Sequence, residues 1–427
     1  MCEILGVYVP QISLTSSENT LIDHVDNHAA DMLSTVEKWS TQNSGSHNRN
    51  GLIAMRALLS ERFSELPGSL EEIALPAGEL VTKNGDVESI IYEPALQVSI
   101  RPDAPVQLVL TGHYDTVFPE DFHFQKPIRV DEDTINGPGT ADMKAGLMVM
   151  LTALQTLEHS DKASNLGYKI LMSPDEEIGS PGSSAILAQL GKQAHVGLTY
   201  EPALADGSMA GARKGSGNFS LIIKGRAAHA GREHHIGRNA IAAMAEFIGG
   251  IEALNGQRDG VTFNIAKIDG GGAYNIVPEL AIGRFNVRMK ETEDMAWIEG
   301  QLDSLVAKLN LKDGIHAHMH GGFTRPPKPM APANAQVFDW VRQAGGLLGQ
   351  EIKWAPSGGV CEGNNLWASG CPNVDTLGVR GGDIHSDREF MKISSLVERA
   401  RLSSVILMKL ASGEFDAIAV KKLAAQC

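Results

Sequence analysis

Short apolar runs alternate along this chain with runs long enough for a helix, and that alternation constrains the fold more than any other feature. The run VQLVL at 106–110 gives way at once to the polar TGHYDT. KAGLMVMLTALQTLEH, 144–159, is long and apolar enough for a mostly buried helix. YKILMS, 168–173, and HVGLTYEP, 195–202, read as further strands. Upstream, Ile22, Val25, Ala29, Met32, Val36 and Trp39 recur at helical spacing and predict one amphipathic helix over 20–40, with a second over 50–65. Strands that alternate with helices predict an α/β fold, a mixed sheet flanked by helices. In such sheets ligands sit beyond the carboxyl ends of the strands.

The pattern changes from about residue 213. GNFSLIIKG, RNAIAAMAEFIGGIEAL, VTFNIAKI, ELAIGRFNVRM, TEDMAWIEGQLDSLVAKL and IHAHMHG read in order as strand, helix, strand, strand, helix, strand. That βαββαβ order is the ferredoxin-like one. The first pattern resumes near 330 with the helix AQVFDWVRQAGGLLG. The expectation is therefore a catalytic domain in two segments, 1–212 and 324–427, interrupted by an inserted unit at 213–323. A chain of 427 residues is long enough for such a division.

Composition excludes some partners. The formal charge is 37 − 51 = −14, which argues against nucleic acid and against an anionic membrane surface. Cys2, Cys361, Cys371 and Cys427 show no paired spacing, so a reducing, cytoplasmic setting is expected. The N-terminus lacks the basic start and apolar stretch of a signal peptide, and no apolar run approaches a membrane span.

The chemistry-bearing residues collect just past the predicted strands. LMSPDEEIGS sets Glu176 beside Glu177, two like charges at the end of a buried element. Alone this reads as a solvated turn, because Ser, Pro, Asp and Gly favour turns. His113 and Asp115 stand two apart in TGHYDT and would share one face of an extended segment. NGPGTADMKAG places Asp142 where a helix N-cap would also fit. Glu201 precedes a proline in LTYEP, and His385 lies in the glycine-rich GGDIHSDRE. Two histidines with several carboxylates and no cysteine suit zinc, or cobalt or manganese in its place.

GHYDTV, GPGTADMKAG, DEEIGS, EP, GRAAHAG, NIVP and GGDIHSDRE, in this order and spacing, resemble the co-catalytic zinc peptidases of metallopeptidase family 20. The resemblance runs from about residue 40 to the C-terminus and lies nearest the glutamate carboxypeptidase-like branch. It implies two zinc ions, with Asp142 bridging, His113 and Glu201 completing one site, and Glu177 and His385 the other. It further implies that Asp115 orients His113, that Glu176 is the general base, and that His229 in RAAHAG stabilises the oxyanion, often across a dimer. A cis peptide after Asp142 is implied as well. Asn275, Arg288 and Arg325 are the candidates for holding a substrate carboxylate. One stretch departs from the pattern: SGGVCEGNN has Cys361–Glu362 where many members have Ser or Thr before Asp.

The expected activity is hydrolysis of an amide bond next to a free carboxylate, releasing a C-terminal amino acid such as glutamate. Removal of an N-acyl group from an amino acid is the alternative, and a non-catalytic binding protein on the same scaffold is a second one. The expected partners are a small-molecule substrate and a second copy of the chain, joined through the inserted unit.

Overall fold

The computed structural model describes residues 12–426. Cys2, Cys427 and the reading of the extreme N-terminus lie outside the described residues. A six-stranded sheet forms the centre, in the spatial order Ser69–Ile73, Ala95–Ile100, Leu166–Ser173, Val106–His113, Val196–Thr199 and Asn373–Val374. The last four strands are mutually parallel and the first two antiparallel, so the sheet is mixed.

The period of two decides which residue faces which layer. Leu108 and Leu110 enter one core, while Val109 enters the other. Tyr168, Ile170 and Met172 likewise oppose Leu171. The larger core is closed by the helices Ala145–Glu158 and Ser394–Ser412, and the smaller by Ser184–Gln193 and Glu362–Ala368. Each fully buried Leu or Ile in these layers contributes roughly 1.5–3 kcal/mol.

Two expectations differ from what is found. The run 20–40 is two helices, Ser16–Val25 and Ala29–Thr41, separated by a 3-10 turn at Asp26–His28. Asp and Asn there favour local turns over helix, although Ile22, Val25, Met32, Val36 and Trp39 are buried as the spacing requires and only Ala29 is exposed. The strand expected at 106–110 runs on through His113. Its polar end stays in the ladder because Thr111, Gly112 and His113 pair with Leu171, Met172 and Ser173.

Residues 215–325 form a four-stranded antiparallel sheet in the order Thr262–Gly270, Leu280–Met289, Gly215–Lys224, His316–Arg325. The helices Ala240–Glu252 and Asp294–Asn310 cover one face over a core of its own, in which Phe219 stacks on Phe285. The opposite face is used in two halves. Its near half, with Ser216, Asn218, Asn264, Asn286 and Arg288, looks into a cavity. Its far half, Ile222 and Ile282, is covered by Val81 of a hairpin, Gly78–Val81 paired with Val87–Ile90. Arg284 Nη2 fastens that hairpin by donating to the carbonyls of Val81 (2.8 Å) and Thr82 (3.2 Å).

The two connections between this unit and the central sheet pair with each other. Arg213 and Lys328 exchange backbone hydrogen bonds of 2.8 and 3.0 Å. Their side chains share Asp375 Oδ2, at 2.8 Å from Arg213 Nε and 2.7 Å from Lys328 Nζ. Asn364 Nδ2 donates to the carbonyls of Lys214 and Pro326.

Candidate metal centre

Three adjacent parallel strands deliver their ends to one spot. His113 closes Val106–His113, Glu176 and Glu177 follow Leu166–Ser173, and Glu201 follows Val196–Thr199. Asp142 comes from the turn before the helix Ala145–Glu158, where Asp142 and Met143 leave helical geometry and the peptide between them is cis. His385 comes from the loop between Arg380–Gly382 and Phe390–Lys392, and both it and Asp383 adopt left-handed backbone.

These side chains form two triads that share Asp142. His113 Nε2 lies 3.1 Å from Asp142 Oδ1 and 3.8 Å from Glu201 Oε1. His385 Nε2 lies 3.3 Å from Asp142 Oδ2 and 3.2 Å from Glu177 Oε2. In each triad the donor atoms lie within 4.8 Å of one another. His113 is wholly buried, whereas the His385 side chain is 54 % exposed, so the second triad is the open side of the centre.

The electrostatics show why such a cluster fits cations. Burial, followed by the charge of Asp142, pushes the Glu177 carboxyl well above its usual range and Glu201 to about 7. Burial also opposes charge on Asp142, but the hydrogen bonds of His113 and His385 hold it well below the ordinary value. Hydrogen bonds to Asp142 and Glu177 raise His385 to about 11. Oxygen and imidazole donors crowded at the expense of their own ionisation are what a divalent cation relieves.

Asp115 holds the geometry together. Its carboxylate lies 3.3 Å from His113 Nδ1 and accepts Ser46 Oγ (2.7 Å) and the backbone N–H groups of Glu176 (3.2 Å) and Glu177 (3.1 Å). Asp115 thus fixes the His113 ring, whose Nδ1 meets the Asp115 main-chain carbonyl at 3.0 Å, and its carboxylate fixes the main chain of Glu177. Glu176 points into a cavity of about 660 Å³ that is also lined by Arg213, Arg288 and Arg325. Arg325 forms a 2.8 Å ion pair with Glu176 Oε1 and donates from Nη2 to the Glu176 carbonyl (2.9 Å) and Ser180 Oγ (2.8 Å). Arg288 donates from Nε to Asn286 Oδ1, and its buried Nη1 has no partner among the described residues.

The structure does not bring every expected residue to this cavity. His229 and Asn275 are exposed and absent from its lining. They stand side by side on the small pair Ala228–His229 and Ile276–Val277, where Ala230 N donates to the Asn275 carbonyl (2.8 Å). His229 Nδ1 accepts the backbone N–H groups of Gly231 and Arg232 (3.2 Å each), which ties that side of the ring to its own loop. Glu362 is buried, not directed at substrate, and meets Ser173 Oγ at 2.5 Å. Burial raises Glu362 to about 8 and lifts Cys361 well above the usual thiol value; Cys361 caps its helix through Gly363 N.

Sequence reasoning missed the asparagine row Asn218, Asn286 and Asn264, which are direct cross-strand partners at the cavity. Polar residues at every second position of GNFSLIIKG and RFNVRM carried that signal. It also missed the Arg213–Asp375–Lys328 cluster, whose members lie far apart in sequence.

Residues 109–409 match the profile of peptidase family M20/M25/M40. The chain is 25 % identical over 405 residues to carboxypeptidase G2 of Pseudomonas sp. strain RS-16, covering 93 % of each chain. It is 27 % identical over 326 residues to succinyl-diaminopimelate desuccinylase of Nitrosococcus oceani, covering 72 % of this chain and 84 % of the relative. Among solved structures it resembles an M20 family metallo-carboxypeptidase of Sulfolobus solfataricus, with a TM-score of 0.69 and 18 % identity over 88 % of this chain and 98 % of that one.

Proposed function

The chain belongs to peptidase family M20/M25/M40, a hydrolytic and metal-dependent family, and on that premise we propose that it is a two-metal amidohydrolase acting beside a free carboxylate. The observation that carries this reading is the pair of triads sharing Asp142 at the wall of a cavity that also holds Glu176 and three arginines. His113, Asp142 and Glu201 would hold one ion, and Asp142, Glu177 and His385 the other, with zinc suiting the mixed imidazole and carboxylate donors. Bound there, the ions supply Lewis acidity toward a carbonyl and make water acidic enough to react near neutral pH.

The protein's own residues do the rest. Glu176, adjacent to the ligand Glu177 but turned into the cavity, takes the proton of the attacking water and returns it to the leaving amine. Asp115 keeps His113 and the Glu176–Glu177 backbone in register. Arg288, with its free Nη1, anchors a substrate carboxylate, and Arg325 holds Glu176 in place at the junction of the two units.

The carboxypeptidase-like branch is the favoured one, supported by the 93 % mutual coverage with carboxypeptidase G2. His229 and Asn275 act in this reading from a second copy of the chain. Their exposure supports it, as do the apolar residues that flank Asn275 in the chain: Ile276 is 49 % exposed, and Tyr274 is fully exposed. The edge strand Thr262–Gly270 is a ready surface for such pairing. The test is metal analysis of the purified protein together with a panel of N-acyl amino acids and dipeptides, each with and without its α-carboxylate. Two metals per chain and turnover that needs the carboxylate support the reading, and the best substrate chooses between peptidase and deacylase. Two metals with no turnover across the panel would favour a binding protein instead.

A further inference from the structure

Glu389 is four residues past His385 and 1 % exposed. Its carboxylate spends every hydrogen bond on the turn that carries Asp142. Oε1 accepts Ala141 N (2.9 Å) and Asp142 N (3.0 Å), and Oε2 accepts Gly139 N (3.1 Å). Its main-chain carbonyl accepts Gly137 N (3.1 Å) and Asn136 Nδ2 (2.7 Å). One residue therefore grips the segment 136–142 from both its backbone and its side chain.

The turn needs this help. Asp142 and Met143 are non-helical, so the N–H groups around them lie outside the regular ladder of the helix that follows. A buried carboxyl group is costly unless hydrogen-bonded, and here three backbone N–H groups of the turn supply the partners. On the other side of the turn, Lys144 Nζ donates to the carbonyls of Trp39 (3.0 Å) and Gln42 (2.8 Å) at the end of the helix Ala29–Thr41. The turn is thus bolted between two buried side chains that reach in opposite directions. Glu389 also closes the loop of His385, because Phe390 pairs with Gly382 directly across its base.

We infer that Glu389 is a positioning residue of the metal centre: it sets the backbone of the shared ligand Asp142 and couples it to the loop of the open-side ligand His385. This rests on the two-metal reading above. An anchor that served stability alone would have no need to bond the peptide nitrogen of the ligand itself. Removing this acceptor should move a ligand common to both triads and so weaken both ions together.

The test compares wild type with Glu389→Gln, which keeps the shape but turns an NH₂ group toward backbone donors. Zinc affinity is read by competition with a chromophoric chelator, the visible spectrum of the cobalt-loaded protein reports ligand geometry, and the melting temperature of the metal-free protein is measured beside them. The expected result is roughly 10–100-fold weaker zinc binding and an altered cobalt spectrum. Leu407→Ala, in a core helix remote from the centre, should lower the melting temperature and leave both metal readouts unchanged. Wild-type zinc affinity and an unchanged cobalt spectrum in Glu389→Gln, whatever its melting temperature, would overturn the inference. If Glu389→Gln does not fold, Asn136→Ala carries the test: it removes one of the two hydrogen bonds to the Glu389 carbonyl and should weaken zinc binding severalfold, and unchanged affinity there overturns the inference equally. A wild-type protein that binds no divalent metal would instead sink the two-metal reading.

Discussion

The candidate metal cluster and the half of the cavity proposed to bind a carboxylate are built on opposite plans. Each ligand stands at the end of a buried strand or in a loop pinned by buried hydrogen bonds, and all five belong to the central sheet and its surroundings. Most groups facing them across the cavity, Asn218, Asn264, Asn286 and Arg288 among them, stand on exposed or half-buried strand positions of the inserted unit, and two of the expected ones do not reach the cavity at all. Reaction chemistry needs ligands placed to a fraction of an ångström, which buried strand ends supply. Substrate recognition can be shared out among surfaces that meet only when the units, or two copies of the chain, come together.

The sharpest break in this comparison is chemical. Asp142→Ala should lose both metals and all measurable turnover, because that ligand is common to both triads. Glu176→Ala should keep its metal and lose about 10²–10⁴-fold in kcat. Metal content and kcat measured on the same preparations check both, and normal turnover in Glu176→Ala would remove it from the mechanism.

Next in size is a pH effect at the seam of the two units. Burial holds a proton on Glu362 up to about pH 8, whereas the unfolded chain gives it up near 4.5. The stabilisation is full below that lower value and disappears as the pH rises through the upper one, a difference on the order of a few kcal/mol. Glu362→Gln cannot titrate. Denaturant melts of the metal-free protein between pH 5.5 and 8.5 should therefore lose less stability in the variant than in wild type, and parallel losses would mean that Glu362 is ionised in the fold.

On the inserted side the effects should be smaller and should fall on binding. Arg288→Ala should raise KM for a carboxylated substrate roughly 10–100-fold, as expected for losing hydrogen bonds to a charged group, with metal content unchanged. A fall in metal content there would blur the division between the two regions. The least effect is expected at the hairpin: Val81→Ala should cost about 1–2 kcal/mol and speed hydrogen exchange in Gly215–Lys224 and Leu280–Met289, the strands that Val81 covers.

The same division governs what could be read from the chain. His113, Glu176, Glu177 and Glu201 were legible because each follows an apolar run, and the βαββαβ order was legible from its alternating periods. Glu389 was not, although it lies in the same short stretch as His385, because its role is written in backbone N–H groups about 250 residues away. Arg325 reads from sequence as a candidate for holding a substrate carboxylate near the junction, yet it is buried against Glu176, a pairing that only the folded junction creates. Asn84–Gly85 marks the hairpin turn plainly enough. Nothing local says that the hairpin lies across a sheet whose strands begin more than a hundred residues later.

That hairpin has a mechanical consequence. The inserted unit is attached at the paired connections around Arg213 and Lys328, and again at the far end of the same sheet face, where Val81 meets Ile222 and Ile282. Fixed at both places, the inserted unit resists being lifted away from the central sheet. The row Asn218, Asn286 and Asn264 is thereby kept in the same cavity wall as Glu176 and the candidate ligands Asp142, Glu177, Glu201 and His385.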